Sequence, residues 1–254
     1  MTLADILDLT LLASLIGFIL LDWLAPARRF PTIRFWRLKG AISFVLYMAI
    51  ALTAPAMWDA VLGAHRLVDL TWMGTIGGAI VAFLVLELSQ YLWHRALHSV
   101  PWLWRIHQTH HAPERVDIWG AFYFHPIGVV GWALSASLGL VWAVGVPAEA
   151  AVIATAAVTF LAVLGHANLR TPKWLGYLIA RPEMHALHHQ RGVHRYNYGD
   201  IALWDMVFGT WRNPATFDAE VGLHDGATDR IGALLLGCDL LADEDEPAAR
   251  PSIV

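Results

Sequence analysis

Eight of the 13 histidines lie in three short clusters that read HRALH at 94–98, HQTHH at 107–111 and HALHH at 185–189. Residues three and four apart share one face of an α-helix, so each cluster can direct two or three ring nitrogens at one point. Neutral imidazole binds iron, zinc, copper and nickel, so the spacing indicates a metal site and leaves the metal open. One zinc ion takes about four ligands, and two metal ions fit this count better. The predicted ligands of the three clusters are His94, His98, His107, His110, His111, His185, His188 and His189.

Prolines divide the chain around these clusters. Pro101 follows the first cluster and Pro113 follows the second, while Pro182 suits the first turn of the helix that carries the third. We therefore expect three separate helices to bring their histidines together.

The composition indicates that lipid is the main solvent of the chain. The 254 residues are 57% hydrophobic and 15% charged, with a mean hydropathy of +0.50, whereas soluble domains carry about 25% charged residues. A net charge of −4 without a basic tail argues against nucleic acid as a partner. The single cysteine, Cys238, excludes an intrachain disulfide and a cysteine-rich metal site.

Apolar segments long enough to cross a bilayer supply the elements that must position the clusters. A spanning helix needs roughly 20 residues, and the segment 127–167 is long enough for two helices joined by a turn at 145–147. The other candidate spans are 11–24, 41–58 and 76–93. The predicted fold is an all-α integral membrane protein of four to five transmembrane helices with a cytoplasmic helical cap that holds a dinuclear metal site. The predicted division of the chain is 1–75, N-terminal transmembrane helices and loops; 76–212, the catalytic region; and 213–254, a C-terminal segment that ends in a partly disordered tail.

The basic residues predict the orientation. Those between the first two spans are Arg28, Arg29, Arg34, Arg37 and Lys39. Short loops rich in Lys and Arg stay in the cytoplasm, which places all three histidine clusters on the cytoplasmic side as well. The first span is not expected to be a signal peptide, because its charges follow the apolar run and no small-residue cleavage site is present. The expected location is a membrane, the bacterial inner membrane in particular.

The series ELSQYLWHRALH, HQTHH, HALHH and NYGDIALWDMVFGTW resembles the fatty acid hydroxylase and sterol desaturase superfamily over roughly residues 76–212. The resemblance implies a non-haem di-iron oxygenase that uses O2 and external electrons to hydroxylate or desaturate a lipid, whether sterol-like, acyl or isoprenoid. The implied cofactor is two iron ions, and a purified sample can carry zinc instead because zinc often binds more tightly. No haem, flavin or ferredoxin motif is evident, so electrons are expected from a separate protein of the ferredoxin or cytochrome type.

The resemblance also assigns further residues. It makes the eight clustered histidines metal ligands and adds His166 in GHANL. Three roles stay open for His125: a metal ligand, a residue that supports a ligand, and a substrate contact. Pro126 follows it and suggests the start of a helix, where a histidine can also serve as the cap.

Other polar residues are candidates for supporting the ligands or contacting the substrate. Glu87, Tyr91, His94 and His98 form one stripe on a helix, so Glu87 or Tyr91 could form a hydrogen bond with a ligand imidazole. At family-motif positions, Asn168, Asn197, Tyr198 and Asp205 are expected to order the cap over the metals, although a local turn or salt bridge is as plausible for Asp205. His65, His194 and His224 fall outside the clusters, and ordinary surface roles are expected for them.

Two other classes of protein compete with the oxygenase. A membrane metal transporter places ionisable ligands near mid-membrane along a pathway, whereas these histidines cluster at helix ends on one side. The same histidines could also belong to a metal-binding protein without oxygenase activity, and this alternative stays open. A bis-histidine haem protein needs single histidines on facing helices and does not use an adjacent pair such as His110 and His111.

Overall fold

A computed structural model describes residues 1–242, and the predicted disordered tail, DEDEPAARPSIV at 243–254, lies outside this range. The described residues form helices and two isolated β-bridges, without a β-strand. Over residues 1–242 the α-helices are α1 (Leu3–Leu24), α2 (Trp36–Thr53), α3 (Asp59–Ala64), α4 (Gly74–Ser99), α5 (Pro101–His111), α6 (Pro126–Ser137), α7 (Ala148–His166), α8 (Pro182–His188), α9 (Ala202–Val207) and α10 (Ile231–Leu235).

Five of these segments are long and apolar enough to cross a membrane. With their 3₁₀ or π-helical extensions they are Leu3–Leu24, Trp36–Met57, Thr71–Ser99, Pro126–Ala143 and Ala148–His166. None of the residues of α1 is buried within the protein, as expected for a helix surrounded by lipid. The predicted all-α integral-membrane class is confirmed, with the larger of the two expected numbers of spans.

A proline lies at the end of two of the helices. The second span changes from α2 to a 3₁₀ turn, Ala54–Met57, that contains Pro55. At Val100 the backbone is extended, and α5 begins at Pro101, so the first two histidine clusters lie on separate helices.

The helix α4 lies at the centre of the bundle and packs against α6 and α7, while α2 packs on α6 and α1 on α7. Ala82, Leu86, Leu140 and Ala154 form the buried core between them. At Gly131 the close approach of α6 and α4 requires a residue without a side chain, since a Cβ atom would lie 2.1 Å from the ring of Trp93.

The helices α5, α8, α9 and α10 form a cap over the ends of α4 and α7. Trp104 of α5 packs into an apolar cluster with Leu223, Leu234 and Leu240 from the segment after residue 212. This segment therefore covers the helix that carries HQTHH.

Candidate metal centre

All nine histidines predicted as ligands converge in two groups. Each residue offers one ring nitrogen, and within each group these nitrogens lie within 4.8 Å of one another. The first group is His94, His98, His107, His111 and His188, and the second is His110, His166, His185 and His189. The groups adjoin, because the stacked rings of His111 and His189 have centroids 4.1 Å apart. The arrangement fits two metal ions held side by side.

Helical spacing divides the second and third clusters between the groups. On α5, His107 and His111 are four residues apart and belong to the first group, whereas His110 belongs to the second. The cluster around α8 shows the reverse division, with His185 and His189 in the second group and His188 in the first. Successive residues on a helix point about 100° apart, so an adjacent pair of histidines reaches two neighbouring sites.

The first group has the donor set that a metal ion requires. The Nε2 atoms of its five histidines are buried and have no hydrogen-bond partner, although buried polar atoms are normally paired. At the other side of the ring, Nδ1 of His94 lies 2.8 Å from the carbonyl of Tyr198, and Nδ1 of His188 lies 2.7 Å from that of Tyr196. Each carbonyl accepts the Nδ1 proton, which assigns the tautomer and leaves the Nε2 lone pair free for a cation.

The second group fits a metal ion for a related reason. Nε2 of His185 lies 2.9 Å from Nε2 of His166 and 3.1 Å from Nε2 of His189. A proton on one of these nitrogens can satisfy one of the two contacts, whereas a shared cation can satisfy all three nitrogens. The fourth ring, His110, is stacked on Phe124 with centroids 4.1 Å apart.

Burial also sets the charge of these imidazoles. It lowers the pKa well below the ordinary histidine value, and the neighbouring histidines lower it further. Outside the membrane spans this holds for His107, His110, His111, His185, His188 and His189. At neutral pH these side chains are therefore uncharged, which is the state that binds metal ions.

Glu87 contacts the site through the backbone. Its carboxylate accepts hydrogen bonds from the amides of Asp200 and Ile201, each 3.2 Å long. The expected hydrogen bond to a ligand imidazole does not form, because seven residues of helix rise place Glu87 about 10 Å from His94 along the axis. The hydroxyl of Tyr91 likewise pairs with Thr210, at 2.9 Å.

Asp205 holds the same loop from the other side. Its carboxylate accepts hydrogen bonds from the amides of Tyr198 and Gly199, both 2.9 Å long, and from the hydroxyl of Thr210 at 2.7 Å. The carbonyl of Tyr198 in turn accepts the Nδ1 proton of His94. Asp205 thus orients a candidate ligand through one intervening loop.

The two asparagines connect segments of the cap. The side chain of Asn168 accepts from the amide of Arg28 at 3.0 Å and donates to its carbonyl at 2.8 Å, which joins the end of α7 to the segment after α1. Asn197 has a positive φ of 51°. Its side chain donates to the carbonyl of Met184 and accepts from the amide of Arg212.

His125 lies outside both histidine groups. Its Nδ1 accepts a hydrogen bond from the amide of Ile127 at 3.1 Å, and its Nε2 donates to the carbonyl of Leu235 at 3.1 Å. Both ring nitrogens are occupied at the start of α6, so of the roles left open the geometry matches a helix cap.

His194 is a residue that the sequence interpretation missed. The expected surface role is wrong, since His194 is 3% exposed and its Nδ1 lies 3.2 Å from Nδ1 of His111. Its backbone has a positive φ of 41°, and its ring packs on Trp104. Spacing could not reveal this contact, because the loop after HALHH has no periodicity. His65, in contrast, is exposed as expected.

A cavity of about 420 Å³ extends from the histidines into the bundle. His94, His110, His166 and His185 line one end of it, and side chains from α2, α4, α6 and α7 line most of the rest. On α7 the lining runs from Ala151 to His166, about 22 Å of helix. This length is a large part of the roughly 30 Å hydrocarbon thickness of a bilayer, so the cavity suits a lipid chain.

Comparison with known proteins agrees with this geometry. The fatty acid hydroxylase family matches residues 79–210, more than half of the chain, and the protein belongs to this family. Over 142 residues it is 28% identical to the ornithine lipid hydroxylase OlsE of Rhizobium tropici, covering 53% of this chain and 42% of the relative.

Two further relatives come from eukaryotes. The fatty acid hydroxylase vlmA of a Lecanicillium species is 30% identical over 58% of this chain and 45% of its own length. Sphinganine C4-monooxygenase 1 of Arabidopsis thaliana is 28% identical over 52% of this chain and 53% of its own length. The match thus spans about half the length of these curated relatives. No solved structure matches the chain significantly.

Proposed function

We propose that the protein is a membrane-embedded di-iron oxygenase that hydroxylates or desaturates a lipid with O2 and electrons from a separate donor protein. One observation carries the proposal: nine histidines form two adjacent groups at the end of a lipid-sized cavity among the membrane spans. The residues proposed as iron ligands are His94, His98, His107, His110, His111, His166, His185, His188 and His189.

Two bound iron ions would supply the activation of O2 and the oxidation of an unactivated C–H bond. The chain provides neutral nitrogens, fixed in orientation by the carbonyls of Tyr196 and Tyr198. Two aromatic rings shape the end of the cavity, since Phe124 is stacked on His110 and the ring of Trp132 lies 5.4 Å from that of His94. These rings would exclude water and position a substrate carbon beside the metals.

The proposal extends to the surroundings of the enzyme. The site would face the cytoplasm of a bacterial inner membrane, supported by the basic segment between the first two spans. There it would receive electrons from a ferredoxin or cytochrome. The division into 1–75, 76–212 and 213–254 stays a proposal as well.

The names of the relatives support a lipid substrate. They describe hydroxylases of an ornithine lipid and of fatty acids and a monooxygenase of sphinganine. By analogy the substrate of this chain would be an acyl, sterol-like or isoprenoid lipid. A metal transporter has no comparable support, because both histidine groups lie at one end of the cavity rather than along it.

Metal analysis tests the proposal. Protein purified from iron-supplemented cells should hold about two metal ions per chain, and the double variant His110→Ala/His188→Ala, which removes one ligand from each group, should lose most of both. The exposed His65→Ala variant is the matched control and should keep its metal. A chain that inserts fully into membranes and binds no metal would contradict the oxygenase. Metal-loaded protein should then be incubated with lipid extracts and reductant to detect O2-dependent oxidation.

A further inference from the structure

The middle of the cavity carries hydroxyl groups. Thr155 and Thr159 on α7 and Ser137 at the end of α6 line it. Thr159 lies seven residues and Thr155 eleven residues before His166, which places them about 10 Å and about 16 Å from the histidine end along the helix axis. We call these three residues the hydroxyl girdle.

The hydroxyl girdle has no hydrogen-bond partner among the described residues. A serine or threonine in a membrane helix usually donates to the carbonyl four residues earlier, and Thr10 and Thr53 do so at 2.8 and 2.6 Å. The girdle hydroxyls form no hydrogen bond with any residue in the range 1–242. Ser137 is 6% exposed, Thr159 is half-buried and Thr155 is exposed, and all three border the open space of the cavity. A hydroxyl in an apolar membrane bundle gains from a hydrogen-bond partner. A ligand in the cavity is the partner that the position of these groups suggests.

Helix packing does not explain the girdle. Hydroxyls that serve helix packing are paired with each other, as where those of Ser89 on α4 and Ser135 on α6 lie 2.9 Å apart. Both of these serines are outside the cavity lining, whereas the girdle residues are part of it.

We propose that the hydroxyl girdle recognises a hydrogen-bonding group within the lipid substrate, such as a hydroxyl, ester or amide, about 10–16 Å from the carbon that is oxidised. The position of that carbon rests on the proposed function. A lipid whose chain is uninterrupted hydrocarbon over this distance would leave the girdle unpaired and bind more weakly. The girdle thus selects functionalised lipids over plain alkyl chains and hydrocarbon isoprenoids.

Binding of matched probes tests this inference. The probes are stearic acid and its isomeric monohydroxy derivatives, which place one hydroxyl at different distances along the same chain. Their affinities are measured by competition with a fluorescent fatty acid on the full chain in phosphatidylcholine nanodiscs. Wild type should bind one isomer about fivefold more tightly than stearic acid, the effect of one neutral hydrogen bond. The double variant Thr155→Val/Thr159→Val should lose this preference and bind stearic acid at least as well as wild type.

The controls separate the girdle from the fold and from the metal site. Thr10→Val makes the same chemical change on α1, away from the cavity, and should keep the preference. Unchanged binding of stearic acid shows that a variant is folded. Ser137→Ala removes the third girdle hydroxyl and provides a second test of the preference for a hydroxylated isomer. Equal affinity of wild type for every isomer, or a preference that survives in the double valine variant, would overturn the inference. Binding requires no turnover, so this result is independent of metal content and of the proposed oxygenase activity.

Discussion

Asp205→Asn should loosen the metal site without touching a ligand. One carboxylate oxygen of Asp205 accepts from the amide of Tyr198 and the hydroxyl of Thr210, and the other accepts from the amide of Gly199. An asparagine has only one acceptor oxygen, so in either orientation its NH₂ group faces at least one donor. The residue is 1% exposed, and water cannot replace the lost partner.

The magnitude follows from these contacts. Losing one hydrogen bond at a buried acceptor and leaving an amide unpaired should destabilise the protein by about 2–3 kcal/mol. For a chain of this size such a change lowers the melting temperature by about 5–10 °C. The loop also holds the Tyr198 carbonyl against His94, so metal affinity should fall by up to about tenfold.

The assay combines thermal unfolding in detergent with metal retention during titration with a chelator. Asp229→Asn is the matched control, because the Asp229 side chain is 63% exposed and water can replace its contact with Lys39. The control should shift stability by less than about 0.5 kcal/mol. If Asp205→Asn and Asp229→Asn had the same melting temperature and metal retention, the conclusion that Asp205 orients His94 through this loop would be wrong.

Two further predictions concern pH and packing. The metal-free protein should lose stability as pH falls below about 6.5. Seven buried histidines outside the spans, His194 among them, have lowered pKa values, so the unfolded chain binds their protons first. Burial raises the pKa of Asp200 to about 7 and also raises that of Asp205, which stabilises the protein as pH falls, but these two groups are outnumbered by the histidines. A melting temperature that does not change between about pH 7.5 and 5.5 would contradict burial of the histidines as neutral groups. Gly131→Ala should destabilise the bundle by about 1–3 kcal/mol, since its Cβ atom would meet the ring of Trp93. Gly232→Ala, where a Cβ atom has open space, is the control, and equal unfolding of the two variants would show that α4 and α6 are not this close.

The sequence was sufficient to predict the spans, and which clustered histidines come together, for a physical reason. Apolar length determines which helices can cross a bilayer, and the three-and-four spacing determines which histidines share a helix face. The sequence could not predict the contacts of Glu87. The rise along α4 separates Glu87 from His94, and the loop whose amides Glu87 binds lies more than one hundred residues later in the chain. His194 was missed for the same reason, since its position depends on how a loop folds over α5.

The division of the ligands also determines how the two groups depend on each other. The helix α4 serves only the first group and α7 only the second, whereas α5 and the segment around α8 contribute to both. A shift of α5 or α8 therefore changes both groups at once, and a shift of α4 or α7 changes one. Both shared helices begin with a proline and lie in the cap, where the apolar cluster around Trp104 holds α5 against the segment after residue 212. Packing of this segment, which contains no proposed ligand, should thus control how closely the two histidine groups are held together.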